Sequence, residues 1–371
     1  MREAAPPPEK IAGVLCSSHY FSLVPVDSEG NPTANLLVWM DRRGAEYGHR
    51  LVHDDVDALV AWLEIHGALP FGTDSLSHML YVKNRLPEVY ERTRCFVEPV
   101  DFVNARLTGR LTANCCTAFA LLLTDNRDLA RLEYAPDLVE RSGIDPAKLP
   151  PLIPVDAVIG TVLPAVAREL GLSPDTPVFS GMNDTQAVTI GTGTHLRGRG
   201  GLNVGTTIQV LAAATEKKTD AEYQIVSMPS PIPGEYMAMA EVGLGGKLVE
   251  HFLHKVIYAS DPLGDHTTDD PWEPIDRAVA EVPAGSRGLL FLPWLTGAQA
   301  PRQSEQMRGG FLNITLETTR AEMLRAVLEG VAYHLRWMLP GVEAFSGQSF
   351  DSLFFSGGGA TSDNGRRSWP T

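Results

Sequence analysis

Apolar and polar positions along this chain switch repeatedly between a period of two and a period near 3.6. Ile11–Cys16 and Leu23–Val26 read as strands, and Ser28-Glu29-Gly30-Asn31-Pro32 is the turn that leaves the second. Leu36–Trp39 is a third apolar run, closed at once by Met40-Asp41-Arg42-Arg43. Val56, Leu59, Val60 and Leu63 recur at helical spacing, which predicts a helix over Val52–His66. Asp74–Val82 suits a second helix, and Val103–Gly109 a short one stopped by its glycine. Pro150, Pro151 and Pro154 break the pattern before a helix at Pro164–Leu170. Farther on, Glu241–Phe252 reads as a glycine turn feeding a helix, and Gly288–Leu295 as a strand. The clearest helix comes late. Thr319-x-x-Glu322 is a capping box, and Leu324, Val327, Leu328, Val331, Leu335 and Met338 follow on one face. Ser352–Phe355 is a last strand that runs into Ser356-Gly357-Gly358-Gly359-Ala360.

Composition narrows the class. A chain of 371 residues is long for one core, so two domains are expected. The joint falls at Ser173-Pro174-Asp175-Thr176-Pro177, giving domains 1–176 and 177–371. Apolar content of 44% with 20% charged residues reads as globular, with a disordered lead-in over the proline-rich first ten residues. A net charge of -14 argues against a nucleic-acid partner, whose phosphates need a basic face. The four cysteines, Cys16, Cys95, Cys115 and Cys116, contain no Cys-x-x-Cys pair, so no zinc or redox motif is supported and a metal site built from them is not expected. So few thiols suit a reducing compartment. No apolar run reaches the length of a membrane span, and the first residues lack a signal-peptide core. A cytoplasmic protein without a membrane partner is the simplest reading.

Candidate chemistry concentrates between Phe179 and Val210. Asp184 is a lone carboxylate among small residues, placed to accept a proton from an alcohol. Gly205-Thr206-Thr207 is a turn between apolar residues whose N–H groups and hydroxyls suit phosphate oxygens. Together they suggest phosphoryl transfer from a nucleotide to a hydroxyl; by themselves, an Asp in a turn is usually a turn former. Trp39 is either a core indole at a strand end or a face on which a sugar stacks. Gly357–Gly359 is either a tight turn or bare backbone that a flat ligand approaches. No Walker A is present, since Gly246-Lys247 is followed by Leu248, and no Gly-x-Ser-x-Gly elbow occurs.

These segments, in this order, resemble the FGGY carbohydrate kinases, most closely their xylulokinase branch. Trp39-Met40-Asp41-x-Arg43 is similar to that family's Trp-x-Asp-x-Arg, and Pro87 to Gly109 to its block ending in Arg-Leu-Thr-Gly. Gly181–Asp184 resembles the segment bearing the catalytic Asp, and Gly205-Thr206-Thr207 the Gly-Thr-Ser phosphate turn. Gly245–Phe252, Pro293-Trp294-Leu295-x-Gly297, Arg325–Gly330 and Gly357–Ala360 complete the likeness. The resemblance implies an α/β, actin/hexokinase-like architecture: two RNase H-like domains with a cleft, a sugar within it, and ATP with Mg2+ on the second domain. Asp184 would be the general base. Trp39, Thr185, Tyr20 and Phe21 would hold the sugar. Gly205, Thr206 and Thr207 would face the phosphates, and Gly246, Glu250, Gly359 and Asp363 would line the nucleotide pocket. A pentulose such as D-xylulose is the expected acceptor, with glycerol or gluconate as alternatives and a homodimer as one option.

Three departures qualify that expectation. Nothing like the family's opening Asp-x-Gly-Thr-Ser turn precedes Ile11, and Thr361–Thr371 has no helical period. Both ends are therefore expected to be incomplete, leaving a chain weakly active alone, or a non-catalytic remnant that binds sugar or a partner. The xylulokinase Met-His pair falls at Tyr20-Phe21, and the first domain's signature Lys and Trp fall at His78 and Tyr81, which leaves the identity of the sugar open.

Overall fold

The structure, a computed structural model, describes residues 7–360 except positions 54, 263, 270, 271 and 305. It forms two units. The first runs to Ile190 and takes in Thr215–Thr219 and Ser227–Tyr236; the second comprises Gly191–Ala214, Asp220–Val226 and the chain from Met237 onward.

In the first unit, β1 (Ser17–Ser18) is followed by β2 (Val24–Val26). Helix α1 (Ala45–His53) is followed by a separate helix α2 (Val56–Ala61), which continues as a π-helical turn over Trp62–His66; the expected helix Val52–His66 therefore starts four residues later than its pattern suggested. The reason is local: the Asp55 carboxylate accepts from the Ala58 N–H at 3.0 Å and caps a fresh start. Helix α3 (Ser75–Arg85) is capped in the same way by Asp74, whose buried carboxylate takes bonds from the Ser77 N–H and hydroxyl and from the Phe71 and Gly72 N–H groups, each at 2.8 Å. Next come β3 (Cys95–Val97), α4 (Pro99–Thr108), α5 (Cys115–Ala118), β4 (Val158–Thr161), α6 (Pro164–Leu170), β5 (Pro177–Phe179), β6 (Met182–Asn183) and α7 (Asp184–Thr192). Gly109 ends α4 at φ 75, as its sequence foretold. β1 pairs in parallel with β6, while β2–β3 and β4–β5 are antiparallel. The unit's core is built from Leu23, Trp62, Leu76, Met79, Phe96 and Leu121 to Leu123, all sealed from water. Fully burying an aliphatic side chain of this size contributes about 1.5–3 kcal/mol.

The largest sheet has six strands. Along the chain they are β7 (Arg199–Val204), β8 (Thr207–Ala214), β9 (Thr219–Asp220), β10 (Ile225–Pro229), β11 (Tyr236–Leu244) and β12 (Ser352–Ser356), and across the sheet β9-β10-β11-β8-β7-β12. β7 and β8 form a hairpin with Val204 opposite Ile208. β12 returns in parallel beside β7, with Ser356 opposite Asn203. Glu241 therefore lies inside a strand rather than in a turn, and the helix that follows, α8, is Gly246–Phe252.

The long helix α9 (Arg320–Ser346) packs on β8. Its start is the expected capping box: Thr319 Oγ1 accepts from the Glu322 N–H at 3.3 Å, and Glu322 Oε2 accepts from the Thr319 N–H at 2.8 Å. Leu324, Val327, Val331, Leu335 and Met338 are buried along one face. At Gly330 an added Cβ would lie 2.5 Å from the Phe291 carbonyl oxygen, so only glycine permits this approach. Beside it Glu329, 4% exposed, pairs with Arg325 at 2.8 Å and accepts from the Gly285 N–H at 2.9 Å and the Ser286 hydroxyl at 2.8 Å. Glu329→Ala would strand the largely buried Arg325 guanidinium, the Gly285 N–H and the Ser286 hydroxyl. Unfolding in urea should show a loss of about 3–5 kcal/mol, the cost of breaking a buried pair on one side, with Glu329→Gln losing less.

Candidate active site

In the first unit the site is set by two parallel strand ends. Gly181 leads into β6 at φ 76, where a Cβ would sit 2.6 Å from the Cys16 carbonyl oxygen and 3.0 Å from a Val100 methyl. Two buried amides fix this turn: Asn104 Nδ2 donates to Ser180 O at 2.7 Å, and Asn114 Nδ2 to Gly181 O at 2.9 Å. The chain then leaves β6 at its carboxyl end, and Asp184 opens α7. Ligand sites of α/β sheets gather at such ends.

Asp184 is exposed. Its Oδ1 accepts from the Thr185 N–H at 2.7 Å and lies 3.4 Å from the Thr185 hydroxyl, which donates to it. The protein packed around the carboxyl strips part of its water and pushes its pKa above the ordinary Asp value. The bonds from Thr185 and the attraction of His19 only partly offset this. The side chain thus remains open to solvent and gains basicity. Thr185 is itself buried, and its hydroxyl is engaged with Asp184.

Trp39 is 38% exposed, and its backbone N–H donates to Ser22 Oγ at 3.1 Å. Ser22 N–H donates in turn to Glu98 Oε2 at 3.3 Å, and Ser75 Oγ donates to Glu98 Oε1 at 2.6 Å. Glu98 is sealed, and burial drives its pKa well above the usual carboxylate range; the neighbouring Asp101 and Asp184 add to the rise, while the bonds from Ser75 and Ser22 oppose it. Tyr20 is buried with its hydroxyl on Cys116 O at 3.2 Å, and Phe21 is partly buried, edge-on to Phe71 at 5.2 Å. Arg43 Nε donates to Asp41 at 2.9 Å and its guanidinium lies 5.0 Å from the Tyr81 ring centre, while His78 Nε2 meets Asp41 O at 2.9 Å. Asp41, Arg43, His78 and Tyr81 are therefore one cluster, and Arg43 holds the Asp41 carboxyl below its usual range. Sequence reading missed His19 and Glu98. A histidine after a short strand and a glutamate before a proline carry no pattern of their own; only the folded pairing of distant segments exposes them.

In the second unit, Gly205 and Thr206 form the tip of the β7–β8 hairpin, where Gly205 N–H donates to Thr207 O at 3.0 Å and Thr206 is exposed. Gly245 N–H donates to Thr206 O at 3.0 Å, and Gly246 N–H to Gly205 O at 2.7 Å. A Cβ on Gly245 would lie 2.4 Å from an Ile208 methyl, and one on Gly246 2.7 Å from Gly205 O. On the other side Gly357, at φ 86, would place a Cβ 2.4 Å from Val204 O, and Gly359 one 2.9 Å from a Val204 methyl. Gly205–Thr207, Gly245–Gly246 and Gly357–Gly359 thus meet at one end of the sheet as bare backbone, which fits the close approach of a phosphate-bearing ligand. Glu250 lies exposed on α8, paired with Lys247 at 2.9 Å. Asp363 lies outside the described residues. Among the described residues no three His, Cys, Asp or Glu side chains cluster as a metal cage, and no helix is long and apolar enough to cross a membrane.

Solved structures share this architecture. The ligand-bound xylulose kinase from Lactobacillus acidophilus matches 99% of this chain and 71% of its own, with TM-score 0.82 and 22% identity. Gluconate kinase from the same organism matches 98% and 70%, with TM-score 0.82 and 22% identity. The fold is the actin/hexokinase-like, two-domain α/β fold of sugar kinases, the class of transferases that phosphorylate an alcohol. The chain belongs to the FGGY family of carbohydrate kinases: residues 1–191 match its N-terminal domain and residues 200–368 its C-terminal domain. Xylulose kinase of Bacillus subtilis is 27% identical over 355 residues, which span 95% of this chain and 67% of that protein.

Proposed function

We propose that this chain transfers the terminal phosphoryl group of ATP to a sugar hydroxyl, with D-xylulose or a related pentulose as acceptor. The observation that carries the reading is the exposed, raised-pKa carboxylate of Asp184 at the carboxyl end of a parallel strand pair. A base with pKa lifted toward the working pH takes a proton more effectively, and exposure lets an alcohol reach it. Trp39 offers a half-exposed indole for a sugar face, held by the Ser22–Glu98 chain. The hairpin tip Gly205–Thr207, crossed by Gly245 and Gly246, would hold the phosphates through backbone and hydroxyls, and α8 with Gly359 would border the nucleotide. Mg2+, expected with the nucleotide, would neutralise charge on the phosphates.

Gluconate is the second candidate acceptor, since a gluconate kinase shares the fold as closely as a xylulose kinase does. The test is ADP release by the purified chain with D-xylulose, D-gluconate, glycerol or no sugar, beside thermal shifts with the same compounds. One acceptor should raise ADP release well above the sugar-free rate and stabilise the fold. No stimulation and no shift across the panel would refute the reading.

A further inference from the structure

Asn203 is the penultimate residue of β7, and the register sets Gln209 of β8 on one side of it and Ser356 of β12 on the other. Side chains at matched positions of neighbouring strands project to one face. The opposite face of the β7–β8 hairpin is apolar, with Leu202, Val204, Ile208 and Val210 buried there. Asn203, Gln209 and Ser356 are half-buried and joined in a row. Asn203 Nδ2 donates to Gln209 Oε1 at 3.2 Å, and the Ser356 hydroxyl donates to Asn203 Oδ1 at 3.3 Å. Asparagine is disfavoured in strands, so a carboxamide bonded across two strand pairs calls for a reason. Its position supplies one. Two residues on, the chain enters the Gly205–Thr207 tip, and β12 runs from Ser356 straight into Gly357–Gly359. Asn203 Oδ1 also stands 2.9 Å from where a Cβ on Gly357 would lie.

We propose that Asn203 is a positioning residue for the phosphate-holding turns: its carboxamide clasps β8 and β12 to β7 just below the sheet end, and so sets the spacing between Gly205–Thr207 and Gly357–Gly359. This rests on the reading of those turns as the place of the nucleotide's phosphates. Glycine backbone is conformationally permissive, and groups that hold a reacting ligand must stand within about 0.5 Å of their working places. Such turns therefore depend on what braces them. Gly245 N–H on Thr206 O and Gly246 N–H on Gly205 O tie the hairpin tip on the α8 side. The Asn203 row ties it on the β12 side.

Asn203→Ala removes both bonds from a half-buried face, so the sheet should stay folded. Hydrogen exchange at the Gly205 N–H, which is bonded to Thr207 O, should quicken by about tenfold or more, while exchange in β10 should hold. The Kd for ADP, from calorimetric titration, should rise by about tenfold. KM for ATP should rise with it, and KM for the acceptor, whose contacts are assigned to the first unit, should not. Ser356→Ala cuts one of the two arms and should give smaller changes of the same kind; its readings decide the matter if Asn203→Ala does not fold. Glu329→Gln loosens the same unit without touching the row, and should lower the melting temperature with ADP affinity intact. A side chain that only fills the sheet would behave as Glu329 does. Unchanged exchange at Gly205 overturns the clasp, whatever ADP does, and leaves the phosphate reading standing. Quickened exchange with ADP affinity undiminished, or absent from the parent chain as well, overturns the positioning role together with the phosphate reading.

Discussion

Asp184→Asn should lower kcat for sugar phosphorylation by about 10²–10⁴-fold, the range that a positioned general base supplies, with little change in KM for ATP. The amide keeps the shape and can still accept from the Thr185 N–H, but it cannot take the acceptor's proton. Loss of fold is not the expected cause. The carboxyl titrates above its ordinary value in the folded chain, so the folded state binds its proton more tightly than the unfolded state does. A carboxylate of this kind detracts from stability once pH has risen through that raised value, and the deficit vanishes below the unfolded value. Asp184→Asn should therefore melt at or above the wild-type temperature at neutral pH, while its turnover collapses. In the wild type, kcat/KM should fall as pH drops through the raised value, since only the ionised form is a base. Steady-state kinetics from pH 4.5 to about 8, paired with thermal denaturation, checks both halves. Undiminished kcat in a folded Asp184→Asn chain would remove the base from this site.

Much of the scaffold was legible in the residues, for identifiable reasons. The capping box Thr319–Glu322, the Gly109 stop and the glycine-flanked Gly205 hairpin are local devices, each settled within a few residues of chain. β11 was not. Its Met237-Ala238-Met239-Ala240 core has little β-branching, and Ala and Met favour helix in isolation; sheet pairing between β10 and β8 overrides that preference. The break at Asp55 escaped because Val56, Leu59, Val60 and Leu63 keep helical spacing on the far side of the cap. At the site, Asp184 and the Gly205–Thr207 turn stood out by composition. His19, Glu98 and Gly181 did not, because what makes them matter lies far away in sequence: β6 for His19, Ser22 and Ser75 for Glu98, and Cys16 and Val100 for Gly181. A single chain read by itself shows local chemistry well and long-range juxtaposition poorly.

Two glycine substitutions should separate the nucleotide's needs from the fold's. Gly246→Ala would set a methyl 2.7 Å from the Gly205 carbonyl oxygen; the oxygen is backbone and a Cβ has no rotatable bond of its own, so neither can swing away. The hairpin tip and the start of α8 must move apart. That strain should cost about 1–3 kcal/mol of stability, and a displacement near 1 Å at a phosphate-holding turn should cost on the order of 10²-fold in kcat/KM for ATP. Gly205→Ala differs in kind. Its Cβ would meet nothing nearer than Thr207 O at 3.9 Å, and its φ lies outside the left-handed region. The fold should tolerate it within about 0.5–1 kcal/mol, since the new methyl enters open space at the tip. If that space is where the phosphates lie, the methyl obstructs them, and ADP affinity should fall by tenfold or more while the melting temperature holds. Calorimetric titration with ADP and urea unfolding of both variants make the comparison. Gly205→Ala binding ADP as tightly as the parent chain would move the phosphates away from this turn, however stable Gly246→Ala proved to be.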